Sequence, residues 1–332
     1  EDLTVNLKVE DGSFDTKGRF LEIIEPAEID SSGLSYSQVL SALTGGAYEL
    51  DTTQDFKRQS NGDSGTNDTE NVTLNVDYTL GDHTLTLITG YNAYEFDETC
   101  DCDFTGASVI TADTTEKFDQ YSQEIRLASS HDGPFNFLTG VYWTVFDQEF
   151  WDTTCTPALT NTVVGFGCVT NQTFFESESV AAFGEIYYDL TENLALTVGL
   201  RYTKDEKKAK AGSNFIGPIA ESAFNTGEAS WEELTGKINL SYNADLSFTD
   251  DSLFYVTLSR GYKGGGLNPS VPSVPTYEPE FVNAVEFGSK NRMLDNRLQF
   301  NASAFYYDFS DYQLGGLIGI AAVNTNAEKV QI

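Results

Sequence analysis

The sequence is poor in the features that define helical membrane proteins and nucleic-acid-binding proteins. It contains no run of 18 or more apolar residues, which excludes a transmembrane helix. Lys and Arg number 19 against 51 Asp and Glu, so the formal net charge is -32. Because binding to phosphates needs clustered Lys and Arg, nucleic acid is not predicted as a partner.

Groups suited to catalysis are scarce as well. The two histidines, His83 and His131, fall in predicted turns, and no constellation of Ser, Cys or Asp surrounds either of them. We therefore predict neither an enzyme nor a bound cofactor.

Apolar and polar residues alternate strictly in two neighbouring segments, residues 180–188 and 194–202. Alternation with a period of two is typical of a β-strand, and each segment has about the ten residues that a tilted strand needs to cross a bilayer. The two segments are separated by a short polar turn. They predict an outer-membrane β-hairpin.

The same arrangement recurs along the chain, with short turns and long polar segments in alternation. Further strands are predicted at residues 3–9, 71–80, 84–94, 120–129, 135–147, 234–244, 252–262, 282–290 and 297–309. Long outer loops are predicted at residues 25–70, 148–176 and 204–232. We expect Val72, Leu74, Val76, Leu196, Val198 and Leu200 to face lipid.

Aromatic residues gather near the predicted strand ends, where an outer-membrane barrel carries its interfacial girdle. One cluster contains Tyr91, Tyr94 and Phe96, and another contains Phe305, Tyr306, Tyr307 and Phe309. A soluble β-sandwich also has alternating strands, but its strands usually have five or six residues. An all-β, antiparallel transmembrane barrel is the preferred interpretation.

Several runs in order along the chain resemble barrel segments of TonB-dependent outer-membrane receptors. They are LTLITGYNAYEFDE, FDQYSQEIRLAS with FNFLTGVYW, AAFGEIYYDLTENLALTVGLRYTKDEK, FYVTLSRGYKGGGLNPS, YEPEFVNAVEFGSKNRMLDNRLQFNASAFYYDFSDYQ and VNTNAEK. The resemblance extends from about residue 71 to the end. It implies a 22-stranded barrel around a plug domain, in the bacterial outer membrane.

About a dozen strands are predicted, which is too few to close a barrel of that size. We therefore expect residues 1–332 to be an interior part of the barrel, with the plug and the C-terminal strands absent from this chain. The resemblance implies energised import of a scarce solute such as a ferric siderophore, haem, cobalamin or an oligosaccharide. Expected partners are outer-membrane lipid and lipopolysaccharide, the solute, and the TonB complex acting through the plug. A passive porin or a surface adhesin on the same barrel is the alternative.

The four cysteines all fall in predicted outer loops, which indicates disulfides in an oxidising compartment. Cys155 with Cys168 is the leading pair because it closes a single loop, and Cys100 would then pair with Cys102. Cross-linking between the two loops is the competing arrangement. A zinc site is the functional alternative, but no histidine lies nearby.

Contacts with a solute can be suggested only from their position at loop mouths. The candidates are Asp101 and Asp103 in an acidic loop, and Tyr262 and Lys263 at a strand end before a run of glycines. Calcium could bind the acidic loop, although a solvated loop tip is the simpler explanation of its charge. The glycines after Lys263 are expected to let the loop fold back into the barrel mouth.

Overall fold

The computed structural model describes residues 2–17, 22–25, 28–29, 33–55, 62–156, 167–214, 219–220, 223–318 and 321–331. Within these ranges no helix is long and apolar enough to cross a membrane. The elements, in chain order, are β1 (Leu3–Thr16), β2 (Glu28–Ile29), β3 (Leu34–Ser35), α1 (Tyr36–Thr44), β4 (Ser64–Leu80), β5 (His83–Asp101), β6 (Thr111–Ser129), β7 (Phe135–Cys155), β8 (Cys168–Thr191), β9 (Leu194–Asn214), β10 (Asn225–Asn243), β11 (Asp251–Lys263), β12 (Gly266–Leu267), β13 (Thr276–Tyr277), β14 (Glu280–Met293), β15 (Leu298–Ile318) and β16 (Ala321–Gln331).

Twelve of these strands form one antiparallel sheet. Its order is β1, β4 to β11, and then β14 to β16, so that every neighbour in the sheet is the next long strand along the chain. Antiparallel neighbours can be joined by a tight turn, and Gly81, with φ of 60°, supplies the left-handed residue between β4 and β5. The prediction of about a dozen antiparallel strands is confirmed.

The strands are much longer than the sequence predicted. β7 has 21 residues and β8 has 24, against the ten that cross a bilayer. The predicted loops at 148–176 and 204–232 were therefore wrong over most of their length. Beyond the apolar alternation, the strands continue through polar residues, such as TKDEKKAKAGSN in β9, because backbone pairing with both neighbours holds them extended.

The large sheet has one apolar and one polar face. A row of paired residues crosses the apolar face from β7 to β15: Phe137, Ile186, Val198, Ile238, Leu258, Val285 and Tyr306. The opposite face carries hydroxyl, amide and charged groups, including the ion pair between Lys237 and Glu185 at 2.9 Å. All six residues expected to face lipid lie on the apolar face. Directly paired residues share a face, and the pairing from β4 through to β9 puts the six on the same one.

The aromatic clusters near the strand ends are divided between the two faces. Tyr91 pairs with Val72 on the apolar face, but Tyr94, three residues later, lies on the polar face and stacks on Phe118 at 5.1 Å. Successive side chains of a strand alternate between faces, so a consecutive aromatic run cannot form a girdle as a whole. That part of the girdle prediction was wrong.

The segment between β1 and β4 contains the helix α1, where a loop was predicted. Ser35 and Gln38 form a capping box at its start, and Gly45, with φ of 64°, ends it in the left-handed conformation. Leu40 of the helix packs with Ala107 and Val109 of the loop after β5 in a small buried cluster. The helix is thus fixed to the loop after β5, which carries Cys102.

Candidate functional site

The loop at residues 264–279, here called the strap, packs across the polar face of the sheet. It contains the small hairpin formed by β12 and β13, and its residues from Gly265 to Asn268 are buried. The glycines thus lie in a loop that folds back over the sheet, as expected; its position in a barrel mouth stays a prediction.

The first end of the strap is attached to β9. Lys207 Nζ donates a hydrogen bond to the Gly265 carbonyl at 2.7 Å, and the Tyr262 hydroxyl donates to Asp205 Oδ2 at 2.7 Å. A Cβ added to Gly265 would lie 2.5 Å from the Trp231 ring, so a residue with a side chain would push the strap away from β10.

These polar groups lie in the rim, the part of the strands between the apolar alternation and the long loops, which in β9 is residues 203–214. Burial lowers the pKa of Lys207, and the neighbouring Asp205 opposes that shift. Burial also raises the pKa of the Tyr262 phenol, and its hydrogen bond to Asp205 adds to the effect. Tyr262 therefore stays protonated and donates its hydrogen bond to the carboxylate of Asp205.

The strap is also attached to β15 and β16 through amide groups, both near its start and at its end. Asn268 Nδ2 donates to the Asn324 carbonyl at 2.8 Å, and the Asn324 amide donates to Asn268 Oδ1 at 2.9 Å. Gln313 Nε2 donates to the carbonyls of Gly264 and Glu278 at 3.0 and 3.1 Å. The strap therefore connects β9 to β16 across the polar face.

A cavity of about 390 Å³ lies beneath the strap. Strap residues form one side, the rim of β6, β7 and β8 forms the second, and β15 with β16 forms the third. Its lining consists of Glu116, Gln148, Phe150, Thr173, Phe175, Leu267, Asn268, Pro269, Ser270, Gly315, Gly316, Ala322, Val323 and Asn324. The volume lies within the range of small-molecule sites.

Glu116 is the acidic group of this cavity. Its Oε1 accepts hydrogen bonds from the Tyr94 hydroxyl at 2.6 Å and from Gln148 Nε2 at 2.5 Å. Beside this cluster Tyr94, Phe118 and Phe146 form a ladder over three strands, with ring centroids 5.1 and 5.4 Å apart. The cavity thus combines aromatic surface with fixed polar groups.

No pattern in the sequence had marked four residues of this lining: Glu116, Gln148, Phe150 and Phe175. They lie in segments where charged and aromatic residues are mixed, so no single residue type marks them. One signal was nevertheless present in the sequence. Phe118 and Phe146 occupy alternate strand positions that otherwise carry polar residues, so their side chains lie on the polar face. Aromatic residues on a polar face need an explanation, and a binding surface provides one.

The four residues suggested as solute contacts have different positions. Lys263 is exposed, and the Tyr262 hydroxyl donates a hydrogen bond to Asp205 beside the start of the strap. Asp101 and Asp103 are only 1% and 2% exposed. Neither carboxylate reaches the cavity lining, and burial removes both from the surface that a solute could contact.

Asp103 instead stabilises its own loop. Its Oδ1 accepts from the amide and hydroxyl of Thr105, and its Oδ2 accepts from the amides of Val109 and Ile110 at 3.0 and 2.8 Å. The Tyr36 hydroxyl donates to the Asp103 carbonyl at 2.6 Å. Burial, together with the charges of Asp103 and Asp101, raises the pKa of Tyr36 to about 12.

Both disulfides lie at the loop end of the sheet. Cys155 and Cys168 are joined where β7 and β8 end their pairing, and Cys100 is joined to Cys102. Three of the four cysteines are strand residues, so the prediction that all lie in loops was wrong. The strands extend further than their apolar pattern, which carries the cysteines into the sheet.

Within the described ranges, no group of three or more His, Cys, Asp or Glu side chains could hold a metal ion. His83 and His131 lie together at the short-turn end, with ring centroids 5.0 Å apart, and His131 Nδ1 is 3.7 Å from Asp82 Oδ2. These histidines are remote in sequence and in sheet position from the strap and its cavity.

The sequence matches the family described as TonB dependent receptor-like, beta-barrel, over residues 22–332, so the chain belongs to that family. The Pesticin receptor of Yersinia enterocolitica is 24% identical over 271 residues, covering 79% of this chain and 36% of that protein. The chain thus spans about a third of the length of the curated relatives it matches.

Solved structures show the same fold. The ferric yersiniabactin uptake receptor of Yersinia pestis superimposes with a TM-score of 0.67 at 20% identity, covering 81% of this chain and 39% of that one. A siderophore receptor of Acinetobacter baumannii gives 0.64 at 13% identity, covering 98% and 50%. Membership of the family places the chain in the bacterial outer membrane, where barrels turn an apolar face to lipid and line the lumen with polar residues.

Proposed function

We propose that this chain forms part of the wall and the capture surface of a receptor that imports a scarce solute across the outer membrane. The observation that carries the proposal is the cavity beneath the strap, which lies on the polar face at the loop end of the sheet. A solute arriving at the loop end of the sheet would therefore meet this cavity on the polar face. Membership of the receptor family supports the same proposal.

Ferric chelates are the solute class that we propose first. Two structural neighbours are a ferric yersiniabactin uptake receptor and a siderophore receptor, which supports that class. Haem, cobalamin and oligosaccharides remain competing solutes. We further propose that energy comes from the TonB complex through a plug domain outside this chain, and that no catalytic step is involved.

Lipid and lipopolysaccharide are the proposed partners of the outer surface. Val141 and Leu200 on the apolar face are more than half exposed, which suits contact with acyl chains. Closer to the long loops, on the same face, the rim carries ion pairs such as Lys204 with Glu206 at 2.6 Å and Lys117 with Glu95 at 2.9 Å. Charged groups at this level suit contact with lipid headgroups.

The strap favours a receptor over a passive porin. A porin needs an open lumen for diffusion, whereas here hydrogen bonds from β9, β15 and β16 hold a loop across the polar face. A surface adhesin would not need a cavity behind such a loop.

The test is uptake of iron chelates by cells that express the full-length protein, with and without a protonophore. We expect saturable uptake that stops when the proton-motive force is collapsed, while binding at the cell surface persists. Equal and non-saturating uptake under both conditions would establish the porin. Surface attachment without uptake of any solute would favour the adhesin.

A further inference from the structure

Among the residues that the structure describes, the lining of the cavity beneath the strap has a single charged side chain. Among the fourteen lining residues only Glu116 is titratable, and the other polar groups are amides and hydroxyls, such as Gln148, Thr173 and Asn268. None of these fourteen described residues is a Lys, Arg or His that would balance a negatively charged solute. The lining itself therefore contributes one carboxylate and no cation to the cavity.

That carboxylate is held in place. The Tyr94 hydroxyl and Gln148 Nε2 both donate to Glu116 Oε1, and they approach from the strands on either side of β6. A side chain fixed by two donors loses little additional freedom when a solute binds, so its charge acts on the cavity at a defined position.

Three cations near this region, Lys117, Lys207 and Lys263, lie outside the cavity lining, and Lys263 is exposed. Lys117, the next residue along β6, lies on the opposite face and pairs with Glu95 at 2.9 Å. Lys207 lies on the polar face, where its charge is engaged with the Gly265 carbonyl, two residues before Leu267 of the lining. The chain as a whole carries a net charge of -32, which adds to the negative potential at the mouth.

The remaining surface of the cavity is apolar and partly aromatic. Phe150 and Phe175 lie in the lining, and the ladder of Tyr94, Phe118 and Phe146 continues beside it. Aromatic rings offer flat faces for the hydrocarbon or planar parts of a ligand, and they attract cations.

We propose that this cavity selects ferric chelates by charge, with Glu116 as the residue that disfavours anionic complexes and favours neutral or cationic ones. The proposal rests on the proposed function, since it assumes that the cavity is where the solute binds. A ferric tris-hydroxamate is neutral and becomes singly cationic with a pendant ammonium group. A ferric tris-catecholate carries three negative charges. The three complexes have the same metal and a similar size.

The experiment measures competition binding of these three chelates to cells expressing the full-length receptor. Three variants are compared with the wild type: Glu116→Gln, Gln148→Glu and the control Glu149→Gln. Glutamine at position 116 keeps an acceptor for Tyr94 and Gln148 while removing the charge. Glu149 lies next to Gln148 in β7 but on the opposite face of the sheet.

We expect the wild type to bind the cationic and neutral chelates more tightly than the trianion. Glu116→Gln should reduce the preference for the neutral chelate over the trianion by about tenfold. This is the effect expected when one carboxylate repels three negative charges at roughly 8 Å in a water-like dielectric. Gln148→Glu should increase the preference, and Glu149→Gln should leave it unchanged. The amount of folded receptor is checked by its heat-modifiable mobility in electrophoresis.

Preferential binding of the trianion by the wild type would overturn the proposal. So would equal effects of Glu116→Gln and Glu149→Gln. In both cases energised uptake of a chelate would leave the proposed function standing. If none of the three chelates is bound or imported, both the charge selection and the proposed iron-chelate import fail.

Discussion

Val198 provides the sharpest test of which face of the sheet meets lipid. It lies midway along the apolar alternation of β9, four residues from Leu194 and four from Tyr202, and it pairs with Ile186 and Ile238 on the same face. Eight intervals of about 3.4 Å make this stretch roughly 27 Å long, or about 20 Å across the membrane when the strand is tilted. Val198 is therefore expected near the middle of the bilayer.

Arginine at position 198 should destabilise the folded barrel by about 2 to 4 kcal/mol, because its charge would enter lipid. At about 1.4 kcal/mol for each factor of ten, this lowers the ratio of folded to unfolded protein by roughly 30-fold to 1000-fold. The matched control is Thr197→Arg, the adjacent residue, whose side chain lies on the polar face. We expect the control to cost less than 1 kcal/mol, since water can reach a lumen-facing charge.

The assay is urea unfolding of the full-length protein in lipid vesicles, with the folded fraction read from heat-modifiable mobility. Both variants are measured beside the wild type. A larger loss of stability for Thr197→Arg than for Val198→Arg would refute the assignment, because a shift of register by one residue exchanges the two faces.

Three further predictions concern the loop end of the sheet. Replacing Cys155 and Cys168 with serine should lower the free energy of unfolding by about 3 kcal/mol, the chain-entropy value for a loop of 14 residues, and a shift in thermal unfolding measures it. An unchanged midpoint would contradict the pairing. Tyr36 has a folded pKa of about 12, above the usual 10, so its contribution to stability is complete below pH 10 and is lost as the pH rises to 12. Tyr36→Phe should remove this loss in alkaline unfolding measurements, and persistence of the loss would contradict the assignment. Asn268→Ala should speed proteolysis or hydrogen exchange of the strap, because it removes the two hydrogen bonds between Asn268 and Asn324 of β16; unchanged protection would show that these two bonds do not hold the strap.

The fold was predictable from the sequence wherever apolar and polar residues alternate. In residues 71–80 and 194–202 every second residue is apolar, which predicts strands. Both segments are strands, and their apolar side chains lie on the same face of the sheet. The rim strands were missed because their stability comes from backbone pairing with neighbours, while their side chains are polar on both faces, as in 204–214. Alternation carries no signal in such a segment.

The candidate site was harder to predict than the fold. Glu116 and Asn324 are more than two hundred residues apart in sequence, and the strap brings them to one cavity. The acidic residues Asp101 and Asp103 were prominent in the sequence, but backbone amides of their own loop satisfy the Asp103 carboxylate. Charge density alone does not distinguish a binding group from a loop-stabilising one.

The central claim is that the solute is captured in the cavity beneath the strap, and uptake by cells carrying full-length Phe150→Arg tests it most directly. This side chain lies in the cavity lining, so arginine should fill and charge the site, whereas Glu149→Arg places the same group on the opposite face. With equal amounts of folded receptor, we predict that Phe150→Arg abolishes saturable, protonophore-sensitive uptake of the neutral ferric tris-hydroxamate and that Glu149→Arg retains it. Wild-type uptake by Phe150→Arg would contradict the account.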